Sequence, residues 1–332
     1  MFRRLRSSWR LHVPMDPRMA AALFAVYIVW GSTYLAIKVV VATAPPLLAA
    51  GTRFLIAGLL LYSWARWRGE APPEQGQWPR LWLLGAMMFL VCYSCLFWAE
   101  KTVPSGIASV LVAMLPAWVL LLEVAVLKTQ RLSWILAAAL VIGLGGVVLL
   151  TGGWGDTGGP LPHTVPWVPC AAILISDASW AAGSVLSKRM RMPSSHAISA
   201  GAQMICGGTL LLICSALLGE WRGLRPPSPA GFGALLYMIV AGSLVAYNSY
   251  VWLLKRMSPT RLASYAYVNP IVALAIGCLW GGERLHASAV AGSVLVLASV
   301  FLILRNTRNH QPAVGAKNQT VLEMEDSPAT AR

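Results

Sequence analysis

The chain carries one long apolar pattern twice, roughly 150 residues apart. Trp30 and Lys38 of the first copy correspond to Trp180 and Lys188 of the second. Further corresponding pairs, at the same or a slightly larger spacing, are Gly51 and Gly201, Gly58 and Gly208, Pro104 and Pro259, Pro116 and Pro270, and Arg131 and Arg284. Because tryptophan, lysine and proline recur in order, chance matching of abundant small residues is the weaker explanation. The chain is therefore predicted to be an internal duplication.

Each copy contains five apolar segments that are long enough to cross a bilayer. A transmembrane helix needs about 20 mostly apolar residues, and the chain is 57% hydrophobic with only 11% charged residues. This composition predicts lipid as the surrounding medium. The predicted spans are Met19–Val41, Pro46–Ala65, Trp78–Ala99, Pro104–Leu127, Leu132–Thr151, Pro166–Ser187, Ala197–Gly219, Gly231–Leu254, Thr260–Gly281 and Ala287–Leu304. We predict an all-α polytopic membrane protein with ten transmembrane helices.

The basic residues alternate between the two sides of this predicted array. The net charge is +14, and the two tails and every second connection hold most of the lysines and arginines. The opposite connections hold only Lys101, Arg222, Arg225 and Arg284. Because cytoplasmic loops are enriched in Lys and Arg, both termini are predicted to be cytoplasmic. The charge thus reports membrane orientation, and no nucleic acid partner is expected.

The odd number of spans in each copy makes the second copy enter the bilayer from the opposite side. The copies then form an inverted repeat, which is typical of alternating-access carriers with a site near the bilayer midplane. The predicted parts are a basic cytoplasmic tail (1–18), a first five-helix repeat (19–151), an external linker (152–165), a second five-helix repeat (166–304) and a disordered cytoplasmic tail (305–332).

Motifs for catalysis, metal binding or ATP hydrolysis are not evident in the sequence. Cys92 and Cys95 form a C-x-x-C pair, but no second Cys or His motif accompanies it, and the histidines are scattered over loops and tails. Without a phosphate-binding loop, an ATP-driven pump is disfavoured. Neither a cofactor nor a metal is expected. A channel is disfavoured because no repeated filter or charged ring is present.

Several motifs resemble the EamA family of the drug/metabolite transporter superfamily. They are Trp30-Gly31-Ser32-Thr33-Tyr34, Arg53-Phe54, Val103-Pro104-Ser105-Gly106-Ile107-Ala108-Ser109, Ser179-Trp180-Ala181, Ser264-Tyr265-Ala266-Tyr267-Val268-Asn269-Pro270 and Gly281-Gly282-Glu283. The similarity runs from about Ala20 to Leu304. It implies ten helices around a central cavity in a bacterial inner membrane, and export or exchange of small metabolites, often amino acids. Thr129-Gln130 replaces the Gly-Glu signature in the first copy, so the two loops are not expected to be equivalent.

Asp177 lies near the middle of the sixth predicted span. A charged side chain at that depth costs about 2.5 to 3.5 kcal/mol on insertion scales, and such residues usually face a cavity or a partner. Asp177 is therefore a candidate for carrying a proton or for binding a cationic amine. The alternative is a carboxyl group hydrogen-bonded to a neighbouring helix. Its counterpart in the first copy is Tyr27, so the duplication breaks at this position.

Arg53 lies within the second predicted span, roughly 10 Å below the outer end at 1.5 Å per residue. A guanidinium at that depth can hold a substrate carboxylate through two parallel hydrogen bonds. The alternative is a fixed ion pair between helices. The counterpart of Arg53 is Gln203, which keeps the polarity but not the charge.

Aromatic and neutral polar residues supply further candidates for binding a small, partly apolar solute. Rings can stack on a side chain or an ammonium group, while hydroxyl and amide groups fix its orientation. These candidates are Trp30, Ser32, Thr33, Trp180, Tyr247, Asn248, Tyr265 and Asn269. Each is also a common packing residue. Tyr265, Tyr267 and Asn269 alternate along the chain, so at most two of them are predicted to line one cavity.

Three residues are candidates for moving parts. Glu100, at the outer end of the third predicted span, is a candidate gate, with a solvated interface position as the alternative. Pro116 and Pro270 each remove a backbone hydrogen bond, so they mark a hinge, a cavity wall or a simple packing kink. Small-residue pairs such as Gly207-Gly208 permit close helix approach, and either a monomer or a homodimer is expected.

Together these features predict a secondary transporter of small metabolites, such as amino acids, that works by alternating access. It is not expected to be an enzyme. Its partners are a small-molecule substrate and the lipid bilayer, with protons as a candidate coupling ion. The alternatives are an integral-membrane enzyme acting on lipid, which would need a clustered catalytic constellation, and a broad-specificity drug efflux carrier of the same fold.

Overall fold

The structure is a computed structural model that describes residues 16–122, 124–125, 134–150, 167–222, 224, 226–282 and 287–309. These residues form helices and turns, with no strand among them. Seven of their helices are long and apolar enough to cross a membrane: α1 (Pro17–Val41), α2 (Pro46–Trp67), α3 (Gln75–Ala99), α4 (Ser105–Leu122), α6 (Trp167–Ser187), α7 (His196–Leu217) and α8 (Pro229–Arg256). Three others contain shorter apolar stretches: α5 (Trp134–Leu150), α9 (Tyr265–Leu279) and α10 (Ala287–Asn309). This architecture fits a polytopic membrane protein.

Several helices begin directly after a residue whose side chain caps the helix amino terminus. The side chain of Asp16 accepts a hydrogen bond from the backbone nitrogen of Arg18, and Pro17 opens α1. Ser195 and Ser228 cap α7 and α8 in the same way. Such caps satisfy backbone donors that have no partner inside the helix. Helix α10 continues to Asn309, past the predicted end of the second repeat, and residues 1–15, 152–165 and 310–332 lie outside the described ranges.

Helices α2 and α7 pack along their lengths through glycines of both copies. A Cβ at Gly58 would lie 2.9 Å from the carbonyl oxygen of Gly201, and one at Gly208 would lie 3.1 Å from the carbonyl oxygen of Gly51. Because Gly51 and Gly58 correspond to Gly201 and Gly208, each contact is the image of the other, as across a twofold axis. Residue numbers rise along one helix as they fall along the other. The two helices are therefore antiparallel, and the axis is perpendicular to them.

Helices α5 and α10 repeat this reciprocal arrangement. A Cβ at Gly146 would lie 2.9 Å from the backbone nitrogen of Val296, and one at Gly143 would lie 2.7 Å from Oγ of Ser299. The central helices cross between the copies: α1 packs against α8 and α9, and α6 packs against α3 and α4. Each copy thus depends on the other for its interior packing.

Two carboxylates join α2 and α7 at their opposite ends. Glu220, just after α7, accepts hydrogen bonds from the backbone nitrogens of Leu47 (3.4 Å) and Leu48 (2.9 Å) in the first turn of α2. Glu70, just after α2, accepts a hydrogen bond from the hydroxyl of Ser195, which caps α7. A carboxylate near a helix amino terminus also interacts favourably with the helix dipole.

Glu220→Gln is expected to lower the stability of the folded protein by about 1 kcal/mol, because the amide carries no charge and offers only one acceptor oxygen to the first turn of α2. The measurement is the thermal melting temperature of the purified protein in detergent. Glu74→Gln is the control, since the carboxylate of Glu74 is exposed, pairs with Arg191 on the surface and caps only the short turn Gln75–Gln77. Equal melting temperatures for the two variants would contradict a stabilising role of Glu220.

The third helix of each copy contains a π-helical segment at an equivalent position. These segments are Ala86–Val91 in α3 and Met238–Tyr247 in α8. π-Helical turns widen a helix locally and occur frequently at functional sites. Both segments face the centre of the protein, where Met88, Phe89, Gly242 and Ser243 are buried.

Candidate functional site

Trp30 and Trp180 meet at the centre of the protein. They are counterparts in the duplication, and their ring centres lie 5.5 Å apart in an edge-to-face arrangement. The ring of Trp30 also lies 5.1 Å from that of Tyr250 and 5.2 Å from that of Tyr265. Aromatic pairs at such distances and angles attract through their quadrupoles. This cluster places residues of α1, α6, α8 and α9 around the point where the two copies meet.

A cavity of about 50 Å³ lies beside this cluster and is called the central cavity here. It is lined by Trp30, Thr33, Tyr34, Cys92, Tyr93, Leu96, Val112, Leu115, Ser176, Asp177, Trp180, Tyr265 and Asn269. The lining comes from α1, α3, α4, α6 and α9, so both copies contribute.

Asp177 is the acidic side chain of this lining. It is 2% exposed, and its Oδ2 atom has no hydrogen-bond partner among the described residues. Leaving a buried polar group without a partner costs about 1 to 3 kcal/mol, and more for a charged group. The structure therefore places a buried carboxyl group, one oxygen of which is unsatisfied, among the residues that line a cavity between the two copies.

The central cavity brings together most of the residues that the sequence singles out for binding. Those in its lining are Trp30, Thr33, Asp177, Trp180, Tyr265 and Asn269. Tyr247 lies one ring further away, 6.1 Å from Trp180 between ring centres, and donates to Oε1 of Gln203 at 2.9 Å. The amide nitrogen of Asn269 faces the carbonyl oxygens of Tyr27 (2.8 Å) and Tyr265 (3.2 Å), so this residue also ties α9 to α1.

Arg53 is buried but does not line the central cavity. Its Nε donates to Oγ of Ser243 at 3.1 Å, and its Nη1 lies 3.4 Å from the sulfur of Met238, both in the π-helical segment of α8. The guanidinium carbon lies 4.6 Å from the ring centre of Phe54 and 5.5 Å from that of Tyr93. Within the described part of the chain no carboxylate forms an ion pair with Arg53. Arg53 thus bridges α2 and α8 behind the ring of Tyr93.

Two other binding candidates lie away from the cavity. Ser32 donates to the carbonyl oxygen of Val29 at 2.7 Å, and its hydroxyl lies 2.5 Å from that of Tyr237 on α8. Asn248 lines a different, polar pocket at the end of the bundle, together with Arg18 and Arg256. The sequence could not separate Ser32 from the lining, because Ser32 is adjacent to Thr33, which does contribute.

Glu100 ends α3 and is fully buried, so the solvated interface position considered from the sequence is wrong. Lys38 donates through Nζ to the carbonyl oxygens of Glu100 (2.8 Å), Lys101 (3.4 Å) and Val103 (3.1 Å). A cation near the last carbonyls of a helix interacts favourably with its dipole. Lys38 therefore closes the end of α3 against α1 and helps to cover Glu100.

The two candidate hinge prolines are buried close to the central cavity. Helix α4 is interrupted at residues 113–114, and the helix restarts with Leu115 and Pro116. Val112 and Leu115, on either side of this interruption, both line the central cavity. Pro270 stays inside α9 directly after Asn269. Neither proline lines the central cavity, but each directly follows a residue that does, Leu115 or Asn269.

A second cavity of about 230 Å³ lies on the other side of the aromatic cluster and is called the basic-end cavity. Its lining includes Lys188 and Lys255, which lie at the end of the bundle that the charge pattern predicts to be cytoplasmic. Tyr247 and Tyr250 also line it, and their ring centres lie 6.1 Å and 5.2 Å from that of Trp180. Trp180 and these two tyrosines therefore form a partition between the two cavities.

Sequence reasoning missed Tyr93 and Tyr250 as contributors to the site. Tyr93 lines the central cavity, and its ring centre lies 6.1 Å from that of Trp180. Tyr250 contacts Trp30 and Trp180, and its hydroxyl lies 2.6 Å from that of Ser184. The duplication contained a usable signal, because Tyr93 corresponds to Tyr247 at the same spacing that relates Pro116 to Pro270.

The described residues contain no group of three or more side chains that could hold a metal ion. The central cavity instead offers one carboxylate, several aromatic rings and the hydroxyl groups of Thr33 and Ser176. Such a lining can bind a small solute and orient it.

Both halves of the chain match one protein family, the EamA-like transporter family, over residues 18–152 and 167–305. The chain is 39% identical over 287 residues to the "Uncharacterized inner membrane transporter YedA" of Escherichia coli (strain K12), covering 85% of this chain and 90% of that protein. It is 29% identical to "Protein PecM" of Dickeya dadantii (strain 3937), covering 84% of this chain and 91% of that protein.

A more distant relative is the "Probable terminal-alkyne amino-acid exporter" of Streptantibioticus cattleyicolor, which is 26% identical over 291 residues, covering 86% of this chain and 93% of that protein. A solved crystal structure shares the fold, with a TM-score of 0.63 and 19% identity, over 89% of this chain and 99% of that one. At 19% identity the solved structure supports the fold and carries no information about function.

Proposed function

The chain belongs to the EamA-like transporter family, and from this premise we propose that it is a secondary transporter that exports or exchanges small metabolites by alternating access. The observation that carries the proposal is the central cavity, which both copies enclose and which holds the buried carboxylate of Asp177. In such carriers the substrate site lies where two structural repeats meet, and the repeats move against each other around it.

The proposed topology has ten transmembrane helices in two inverted five-helix repeats, with both termini in the cytoplasm. The antiparallel, reciprocal packing of α2 with α7 and of α5 with α10 supports the inversion. The alternation of basic residues supports the orientation. The inner-membrane name of the relative at 39% identity supports a bacterial inner-membrane location.

The proposed substrates are amino acids and related compounds. One relative is named as an amino-acid exporter, and the cavity combines a carboxylate, hydroxyl groups and aromatic faces, which suit a solute with one polar and one apolar end. The protein is proposed to act without a cofactor or metal, in the bilayer, as a monomer or a homodimer.

The proposed moving parts lie close to the central cavity, at an interruption of one helix and at a proline inside another. The interruption of α4 before Pro116, and Pro270 inside α9, are the proposed hinges. Glu100 is the proposed outer gate, since it is buried at the end of α3 beside the contacts that Lys38 makes. Trp180 with Tyr247 and Tyr250 would close the site on the basic side.

The test of this proposal is solute flux into proteoliposomes that contain the purified protein. A carrier gives uptake that saturates with solute concentration and is accelerated when unlabelled solute is loaded on the opposite side. Uptake that rises linearly with concentration would indicate a channel, and turnover of a lipid without any solute flux would indicate a membrane enzyme. Either result would overturn the proposal.

Asp177→Asn is expected to remove the dependence of flux on a pH gradient while leaving solute exchange measurable. Asp177 is the one carboxylate of the cavity lining, and the other titratable side chains there, Tyr34, Cys92, Tyr93 and Tyr265, bear protons in their neutral forms. An amide of the same size cannot carry the proton. The measurement is uptake by the wild type and the variant, with and without an imposed pH gradient. An unchanged gradient dependence in the variant would remove Asp177 as the coupling residue.

A further inference from the structure

The described side chains that line the central cavity can supply negative charge but no positive charge. Its described lining contains one acidic side chain, Asp177, and no lysine or arginine. Asp177 is 98% buried, and its Oδ2 lacks a hydrogen-bond partner among the described residues. Buried Arg53 on α2 is engaged with Ser243 and lies behind the ring of Tyr93. When Asp177 is ionised, a ligand that neutralises the charge of this space must therefore bring one positive charge.

The remaining surface of the cavity favours the same kind of ligand. Trp30, Tyr93, Trp180 and Tyr265 present rings to it, and the faces of such rings attract cations within about 6 Å of their centres. The carboxylate of Asp177, a residue of the lining, is an acceptor for the hydrogen bonds that an ammonium group can donate.

A substrate carboxylate is poorly accommodated in the same space. A free α-amino acid would place its carboxylate only a few bonds from its ammonium group, and hence close to Asp177. Like charges at such short range in a buried site repel strongly. The lining hydroxyls can donate hydrogen bonds to a carboxylate, but they supply no compensating charge.

We infer that the central cavity selects small organic monocations, with a primary ammonium group held by Asp177 and the aromatic rings, in preference to zwitterionic amino acids. This inference rests on the proposed transport function. Within the proposed class of amino acids and related compounds, it sets free amino acids aside and keeps the related amines whose carboxyl group is absent or masked as an ester or amide. It assigns Asp177 the role of ligand for the ammonium group and the tryptophan pair the role of its apolar cover.

The test is a matched series of three probes that differ in charge and share one carbon skeleton: isobutylamine (a monocation), valine (the same amine with a carboxylate) and isobutanol (neutral). Binding to the purified wild-type protein in detergent at neutral pH is measured by titration calorimetry. Isobutylamine is expected to bind at least about tenfold more tightly than valine or isobutanol, because only it pairs with the carboxylate without adding a negative charge.

Two variants locate that binding. Asp177→Asn is expected to weaken isobutylamine binding by about tenfold or more, whereas Glu74→Gln removes an equal charge from the exposed surface and is expected to change nothing. Asp177→Glu keeps the carboxylate and is expected to retain measurable binding. If Asp177→Asn does not fold, the wild-type series still decides the question.

Valine binding as tightly as isobutylamine, the absence of any isobutylamine binding, or full binding by folded Asp177→Asn would each overturn the inference. These results leave the transport proposal separately testable. Saturable exchange of valine in proteoliposomes together with no response to isobutylamine would retain the carrier and discard the monocation class. Absence of exchange for every solute would discard the carrier itself.

Discussion

Gly208→Val is expected to leave almost no correctly folded protein. A Cβ at Gly208 would lie 2.5 Å from the backbone nitrogen of Leu55 and 3.1 Å from the carbonyl oxygen of Gly51. These neighbours are backbone atoms of α2, so no side-chain rotation can relieve the overlap. Overpacking of a tight interior typically costs 1 to 3 kcal/mol or more, and here it separates the two helices that pair the copies.

The measurement is the fraction of Gly208→Val that elutes as a monodisperse peak in detergent, followed by thermal melting of whatever is recovered. Gly233→Val in α8 is the matched control, because a Cβ at Gly233 meets nothing within 4 Å and valine there carries the same intrinsic helix cost. Recovery and stability of Gly208→Val equal to those of Gly233→Val would show that close packing of α2 and α7 is not required.

Trp180→Ala is expected to convert tightly coupled exchange into leak. Trp180 lines the central cavity and contacts Tyr247 and Tyr250, which line the basic-end cavity. Removing the indole would leave only the two tyrosines between cavities of about 50 Å³ and 230 Å³. A carrier that can no longer close one side of its site lets solute run down its gradient without an exchange partner.

The measurement is efflux of preloaded solute from proteoliposomes, with and without solute outside. The wild type is expected to need external solute for rapid efflux, and Trp180→Ala is expected to release solute at a similar rate in both conditions. Trp167→Ala is the control, since Trp167 lies on the same helix but is 74% exposed on the outside of the bundle. Exchange by Trp180→Ala that stays as strict as in the wild type would refute the partition.

Much of the helical architecture was predictable because lipid imposes a length and an apolar composition on every span. Met19–Val41 and Pro166–Ser187 were predicted, and α1 and α6 agree with them to within two residues at each end. The pairing of the two copies was also predictable from the sequence, since Trp30 and Trp180 are counterparts in the duplication. Two counterparts that lie close to a twofold axis also lie close to each other. Their rings do meet.

Details of the candidate site depended on tertiary contacts that a linear pattern does not contain. Ser32 and Thr33 are adjacent, yet Thr33 lines the central cavity while Ser32 faces Tyr237, because α1 is surrounded by other helices on several faces. Glu100 looked interfacial at the end of its span, but the loop capped by Lys38 covers it. In both cases the local sequence gives the depth of the residue in the membrane, but not which neighbouring helix or loop its side chain meets.

The glutamate caps show a signal that was present and went unused. Gly69-Glu70 and Gly219-Glu220 recur at the spacing that relates Trp30 to Trp180. Both glycines adopt positive φ angles, +81° and +74°, which end α2 and α7 and turn the next residue back towards the partner helix. The π-helical segments of α3 and α8 had no such signature, since their composition is that of an ordinary apolar helix.

The cavity between the copies is proposed to open alternately to the two sides of the membrane, and native Cys92 in its lining can report this opening. The other cysteines, Cys95, Cys170, Cys206, Cys214 and Cys278, are replaced by alanine, and a protein lacking all six serves as the control. A small membrane-impermeant thiol reagent is then applied to right-side-out and inside-out vesicles. Alternating access predicts that Cys92 is modified from either face of the membrane. Modification from one face only, or from neither, would contradict alternating access.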